Sequence, residues 1–175
     1  NLVYFRDFGL FCYSHKIFKL FVICKDNFDP FNSGHMHYDN LSIDFSFNKQ
    51  NVIADPGSYL YTSNTVLRST FKSLDMHFSP FFKNSKKIQE SYTFSSLKFF
   101  PAKVLDYDKN FFIGEVNYDQ GKIIREIKFL ENGLSITDYS NDNSIQNLFE
   151  SLQKKNISSS YGVLSKKKII NKKFL

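Results

Sequence analysis

The 175-residue chain is 42% hydrophobic and 23% charged, ordinary values for one folded domain with a substantial core. No apolar run reaches the roughly 18 uncharged residues a membrane helix requires, because Lys16 and Lys19 interrupt the best candidate, Ile17 to Cys24. The formal charge of +6 favours an anionic partner, and sign alone does not choose among nucleic acid, anionic polysaccharide and lipid headgroups. With 21 Phe, 10 Tyr and no Trp, the aromatic share points to strands, since aromatic side chains suit a pleated, half-buried surface, and an all-β fold is expected.

The sequence begins at Asn1 without an initiator Met or a signal-peptide pattern, so it reads as an excised or processed piece. Tyr4 to Ser14 and Ile17 to Lys25 are two aromatic and β-branched runs split by His15-Lys16, the pattern of a hairpin. A turn centred there sets Cys12 opposite Lys19 and Cys24 opposite Asp7, so the two cysteines are read as buried free thiols. Asp26 to Ser33 has the composition of a loop.

Gly34-His35-Met36-His37-Tyr38-Asp39-Asn40 follows and holds two of the four histidines. Leu41 to Phe47 alternates apolar and polar residues as a half-buried strand does. Asn48 to Asn51 is a polar turn, and Val52-Ile53-Ala54 enters a strand that Pro56-Gly57 terminates. Thr65 to Met76 reads as an irregular or helical connection.

Further strands are expected at Thr93 to Phe100, Phe111 to Tyr118, Lys122 to Leu130 and Leu134 to Tyr139, with turns at Asp119-Gln120-Gly121 and Glu131-Asn132-Gly133. Short strands separated by turn signals describe an antiparallel β-sandwich or open barrel. Residues 1–160 are read as one β domain and 161–175 as a basic, loosely ordered tail, with a late strand or two before it.

Were Gly34 to Tyr38 extended, His35, His37 and Asp39 would share one face, because strand side chains alternate. Asp55 on the adjacent strand and His77 would then close the site. Two imidazoles and a carboxylate are a usual zinc set, although the same ligands also suit manganese, iron or nickel. A cupin-like metal barrel also starts from His-x-His, but the Glu and the second Gly-Pro-x-Gly-x-x-His motif it requires are missing here.

Three stretches taken together, Gly34 to Asp39, Val52 to Thr62 and Leu67 to His77, resemble the C-terminal domain of the heparinase II/III family of polysaccharide lyases. The family shows a Gly-His-x-His-x-Asp segment, a D-P-G-x-Y-x-Y segment and an Arg nine residues before a final His; here 77 − 68 = 9. The chain departs from the pattern at Phe78, where the family usually has Asn.

The resemblance implies an antiparallel β-sandwich paired with an N-terminal helical toroid, with an acidic polysaccharide held between them. No nucleic-acid or membrane partner is implied. The implied reaction is β-elimination at a uronic acid. By position, His35 corresponds to the active-site histidine, and His37, Asp55 and His77 to a metal triad that is usually zinc. Arg68, Tyr59 and Tyr61 correspond to candidate substrate contacts. Because the family's remaining acid/base groups belong to the helical domain, this piece alone is not expected to be a competent lyase. A periplasmic, cell-envelope or secreted location is expected. The alternative is a non-catalytic carbohydrate-binding or surface-polysaccharide assembly module.

Overall fold

The computed structural model describes residues 1–27, 35–60, 63–82, 99–131 and 133–140, with the backbone of 145–146, 156–160 and 163–166. The first sheet is an antiparallel meander of β1 (Leu2–Phe5), β2 (Leu10–Ser14), β3 (Phe18–Ile23), β4 (Ile43–Phe47) and β5 (Gln50–Ile53), each strand paired with the next. The helix α1 (Thr65–Lys72) and the short strand β6 (Phe81–Phe82) follow. A second meander is built from β7 (Ala102–Tyr107), β8 (Phe111–Tyr118), β9 (Gly121–Leu130) and β10 (Gly133–Tyr139). The chain then gives β11 (Ile145–Gln146), which pairs with β6, and the hairpin β12 (Asn156–Ser160) and β13 (Val163–Lys166).

The two meanders face each other as an all-β sandwich, because each presents one apolar face that needs covering. Alternate residues of β3, Phe18, Leu20 and Val22, point inward, and Phe112, Val116, Ile123 and Ile127 answer from the second meander. Aromatic pairs stitch the interface: Phe11 and Phe112 have centroids 4.7 Å apart, and Tyr13 stacks on Phe129 at 4.1 Å. Two consecutive hairpin meanders do not close into a cupin-type barrel.

Several local expectations change. The run from Tyr4 to Ser14 is two strands broken by a 3-10 turn at Arg6–Phe8 and by Gly9 in the left-handed region at φ 59°. A Cβ at Gly9 would lie 2.6 Å from the Cys24 carbonyl oxygen, so only glycine lets β2 start this close to the end of β3. The first hairpin is shifted by two residues, with Cys12 opposite Phe21 and Ser14 opposite Lys19. An even shift keeps each side chain on its expected face, and both cysteines remain free thiols. Burial, aided by the nearby Asp26 charge, pushes the Cys24 thiol up to about 12, which makes it inert.

Strands β8, β9 and β10 lie within a residue of their expected ends, and the two positive-φ residues Asn48 and Lys49 form the expected β4–β5 turn. Strand β7 was not expected; a bulge between Val104 and Asp106 interrupts its alternation. The expected strand at Thr93 to Phe100 falls mostly outside the described residues, and Phe99 and Phe100 are not in a strand. Strand β13 lies within the stretch read as a tail, and residues 167–175 lie outside the described set.

Candidate active site

Segment 35–42 is not a strand: it is a bend and turn, so strand alternation does not order its side chains. Instead it is held by long-range polar contacts. Asn40, 8% exposed, donates from Nδ2 to the carbonyls of Lys25 (3.1 Å) and Phe100 (2.7 Å) and accepts the Lys25 N–H on Oδ1 (2.8 Å). These bonds serve backbone groups just beyond the end of β3 and just before β7, where the Lys25 carbonyl also accepts the Ala102 N–H at 2.7 Å. The Tyr38 N–H donates to the carbonyl of Lys72, at the end of α1, at 3.0 Å. Leu41 is fully buried at φ 60°, with its side chain over Gly114, where a Cβ would meet it at 2.6 Å.

Helix α1 starts at a capping Asn64, whose side chain accepts the Leu67 N–H at 3.0 Å. It buries Arg68, Phe71 and Lys72 on one face, and the chain then turns through Ser73 and Met76 to bring in His77, which is fully buried. The second meander fixes this turn from the other side. Arg125, 1% exposed, pairs in a two-pronged fashion with Asp138 (2.7 and 2.8 Å) and donates from Nη1 to the carbonyls of Leu41 and Phe78. The Tyr118 hydroxyl donates to the Pro80 carbonyl at 2.8 Å.

The segment after β5 supplies the third part. The Asp55 carboxylate accepts the Gly57 N–H on Oδ1 at 2.9 Å, a local turn that Gly57 allows at φ 73°. These three segments bring four side chains into one hydrogen-bonded chain. Asp55 Oδ2 lies 2.7 Å from His77 Nδ1, His77 Nε2 lies 3.2 Å from His37 Nδ1, and His37 Nε2 lies 3.1 Å from Ser58 Oγ.

The charge states follow from the surroundings. Burial first, then the neighbouring His77 ring and the cations of Lys72 and Arg68, lower His37 to about 3, so it is neutral at pH 7. Burial pushes the Asp55 carboxyl up, but the hydrogen bond from His77, with the Gly57 N–H, outweighs it and holds the carboxyl below its ordinary range. The centre therefore combines an ionised carboxylate with a neutral imidazole, the states in which both can ligate a metal.

The residues expected to act together divide as follows. His37, Asp55 and His77 converge. His35 is exposed at the edge of the same segment. Asp39, which alternation would have grouped with the histidines, instead pairs with Lys25 at 3.6 Å. Arg68 is 1% exposed and its guanidinium reaches the Leu60 carbonyl at 3.5 Å, so its charge lies inside the site rather than on its surface. Tyr59 is half-buried and packs on Phe71 with centroids 5.3 Å apart; Tyr61 lies outside the described residues. Ser58, Lys72, Asn40 and Arg125 were not singled out from the sequence, and only Ser58, adjacent to the Asp-Pro-Gly turn, carried a local signal.

The two imidazoles suit a zinc-like ion by chemistry and by one distance. Two nitrogens on a tetrahedral zinc, each about 2.0–2.1 Å from it, lie roughly 3.3–3.4 Å apart, and the facing His37 and His77 nitrogens are 3.2 Å apart. Asp55 reaches this pair through His77, and among the described residues no three His, Cys, Asp or Glu side chains close around one point.

Residues 1–78 match the family described as heparinase II/III-like, C-terminal. Among solved structures, the heparinase III BT4657 gene product with methylated lysines superposes with a TM-score of 0.68 at 16% identity, covering 94% of this chain and 32% of that one. A crystal structure of heparinase III gives 0.59 at 16% identity, covering 79% and 22%. A second structure of the BT4657 product gives 0.58 at 18%, covering 78% and 21%. At these identities the likeness concerns the fold, and the chain spans about a third or less of the length of each. No curated protein matches the chain by sequence.

Proposed function

Residues 1–78 are heparinase II/III-like in sequence, and from that premise we propose that this chain is the C-terminal β-sandwich part of an exported polysaccharide lyase. Its substrate is an acidic polysaccharide containing uronic acid, cut by β-elimination in a cleft shared with a helical domain of the same polypeptide. The observation that carries the reading is the convergence of His37, Asp55 and His77 beside the exposed His35.

In β-elimination a base removes the proton next to the uronate carboxylate and the glycosidic oxygen departs, leaving an unsaturated sugar. The barrier falls when the negative charge growing on the carboxylate meets fixed donors and cations. His35, exposed at the surface, would meet the sugar and share that charge or its proton. Arg68 and Lys72, both buried and close enough to bear on His37, would add positive field in a water-poor setting where charge is weakly screened.

His37 and His77 would hold a zinc ion, with Asp55 as third ligand or as the carboxylate orienting His77. When bound, the ion supplies a fixed positive charge and braces the three segments. In the second arrangement Asp55 would keep His77 in one orientation whether or not the ion is present. Tyr59 and Tyr61 would flank the sugar.

The test uses the full-length protein with a panel of uronate-containing acidic glycans. The reading predicts unsaturated-uronate absorbance from at least one of them, with His35→Ala reducing the rate by about 10²–10⁴, the range for a lost acid/base group. Absence of unsaturated product across the panel would overturn the lyase reading; undiminished activity in His35→Ala would overturn the role of His35.

A further inference from the structure

Ser58 sits between two backbone conformations that L-residues avoid or adopt rarely: Gly57 at φ 73° before it and Tyr59 at φ 57° after it. A non-glycine residue at positive φ costs free energy and persists only where its surroundings impose it. Here Tyr59 is kept by its ring contact with Phe71, and the Ser58 carbonyl takes the Leu60 N–H at 2.8 Å. The result of this tight turn is that the Ser58 hydroxyl reaches the outer nitrogen of His37 at 3.1 Å. The inner nitrogen, Nδ1, faces His77.

We propose that Ser58 is the positioning residue for His37, fixing the ring so that Nδ1 points at the space shared with His77 and serves as its metal-binding nitrogen. This rests on the metal reading given above. Asp55 stands in the same relation to His77, one bond further along the chain. A hydroxyl suits the role because it both donates and accepts. Without a cation and with His77 a neutral ring, the Asp55 carboxylate only accepts, so His77 donates from Nδ1. His37 then donates to His77, and Ser58 donates to His37 Nε2. With a cation on Nδ1, the His37 proton sits on Nε2 and Ser58 accepts it. One side chain thus holds the ring in both states without moving. Outer hydrogen bonds of this kind commonly change metal affinity by about 10–100-fold.

The test measures zinc affinity of the purified full-length protein by competition with a chelating dye, alongside the imidazole ¹⁵N spectrum of the metal-free protein. Ser58→Ala is expected to weaken zinc binding about 10–100-fold and to shift the His37 Nε2 signal. Ser58→Thr, which keeps the hydroxyl, is expected to restore both. Wild-type affinity in Ser58→Ala, or equal loss in Ala and Thr variants with an unchanged melting temperature, would overturn the proposal. If the wild type itself takes up no zinc, the metal reading fails, and the spectrum decides Ser58 alone: an unmoved His37 Nε2 signal in Ser58→Ala overturns its positioning role.

Discussion

The second meander and the three segments that build the site are held by different means. Strands β8, β9 and β10 pair residue by residue, Gly133 with Leu130 through Tyr139 with Ile124 and Phe111 with Lys128 through Tyr118 with Gly121. Segments 35–42, 54–60 and 73–80 have no such ladder: apart from isolated backbone bonds, as those joining Leu41 and Ser42 to Ile23, they depend on a few side chains reaching across the molecule. Loss of one ladder contact is shared by its neighbours, whereas loss of one crossing side chain frees a whole segment. The turns that carry His37 and His77 are thus anchored in part from the opposite sheet.

The largest expected effect comes from the side chain that serves both regions. Arg125→Met leaves Asp138, 2% exposed at its side chain, without its partner, and removes the donors to the Leu41 and Phe78 carbonyls. Urea unfolding is expected to show a loss of about 3–5 kcal/mol, with Asp138→Leu in the same chain recovering part of it. An unchanged midpoint would mean that the two regions are independent. Asn40→Ala, which touches only segment 35–42 and its neighbours, is expected to cost about 1–3 kcal/mol by removing the side-chain bonds to the part-buried Lys25 N–H and Phe100 carbonyl. A cost as large as that of Arg125→Met would contradict this ranking.

The contrast also decides what was legible in the sequence. Strands β8 to β10 were, because alternation and turn residues are local signals. The grouping of His37, Asp55 and His77 came from a family pattern, since nothing within a few residues of His77 announces a partner 40 residues earlier. Alternation misplaced Asp39 because residues 36–41 form a bend and turn rather than a strand. Arg125 was invisible as a site residue for the same reason, its Leu41 partner being 84 residues away. Bulges and left-handed residues, at Val104–Asp106, Gly9 and Leu41, broke patterns that otherwise read correctly.

The remaining effect is a graded one, on pH. The folded His37 titrates near 3 against an ordinary 6.5, so between these values the unfolded chain binds more protons. Stability is therefore fully present above about 6.5 and falls as the pH drops towards 3; the lowered Asp55 carboxyl adds loss in the same direction below its ordinary 3.8. Melting temperature of the metal-free protein against pH is expected to slope less steeply in His37→Gln than in the wild type. An identical slope would mean that His37 is not buried neutral.

The most direct test of the site is metal content. Full-length protein purified without chelator is expected to carry about one zinc per chain by elemental analysis, lost in His37→Ala while the fold is retained. A wild type free of metal, or a His37→Ala variant that keeps its zinc, would contradict the assignment of His37, His77 and Asp55 as a metal-supported centre.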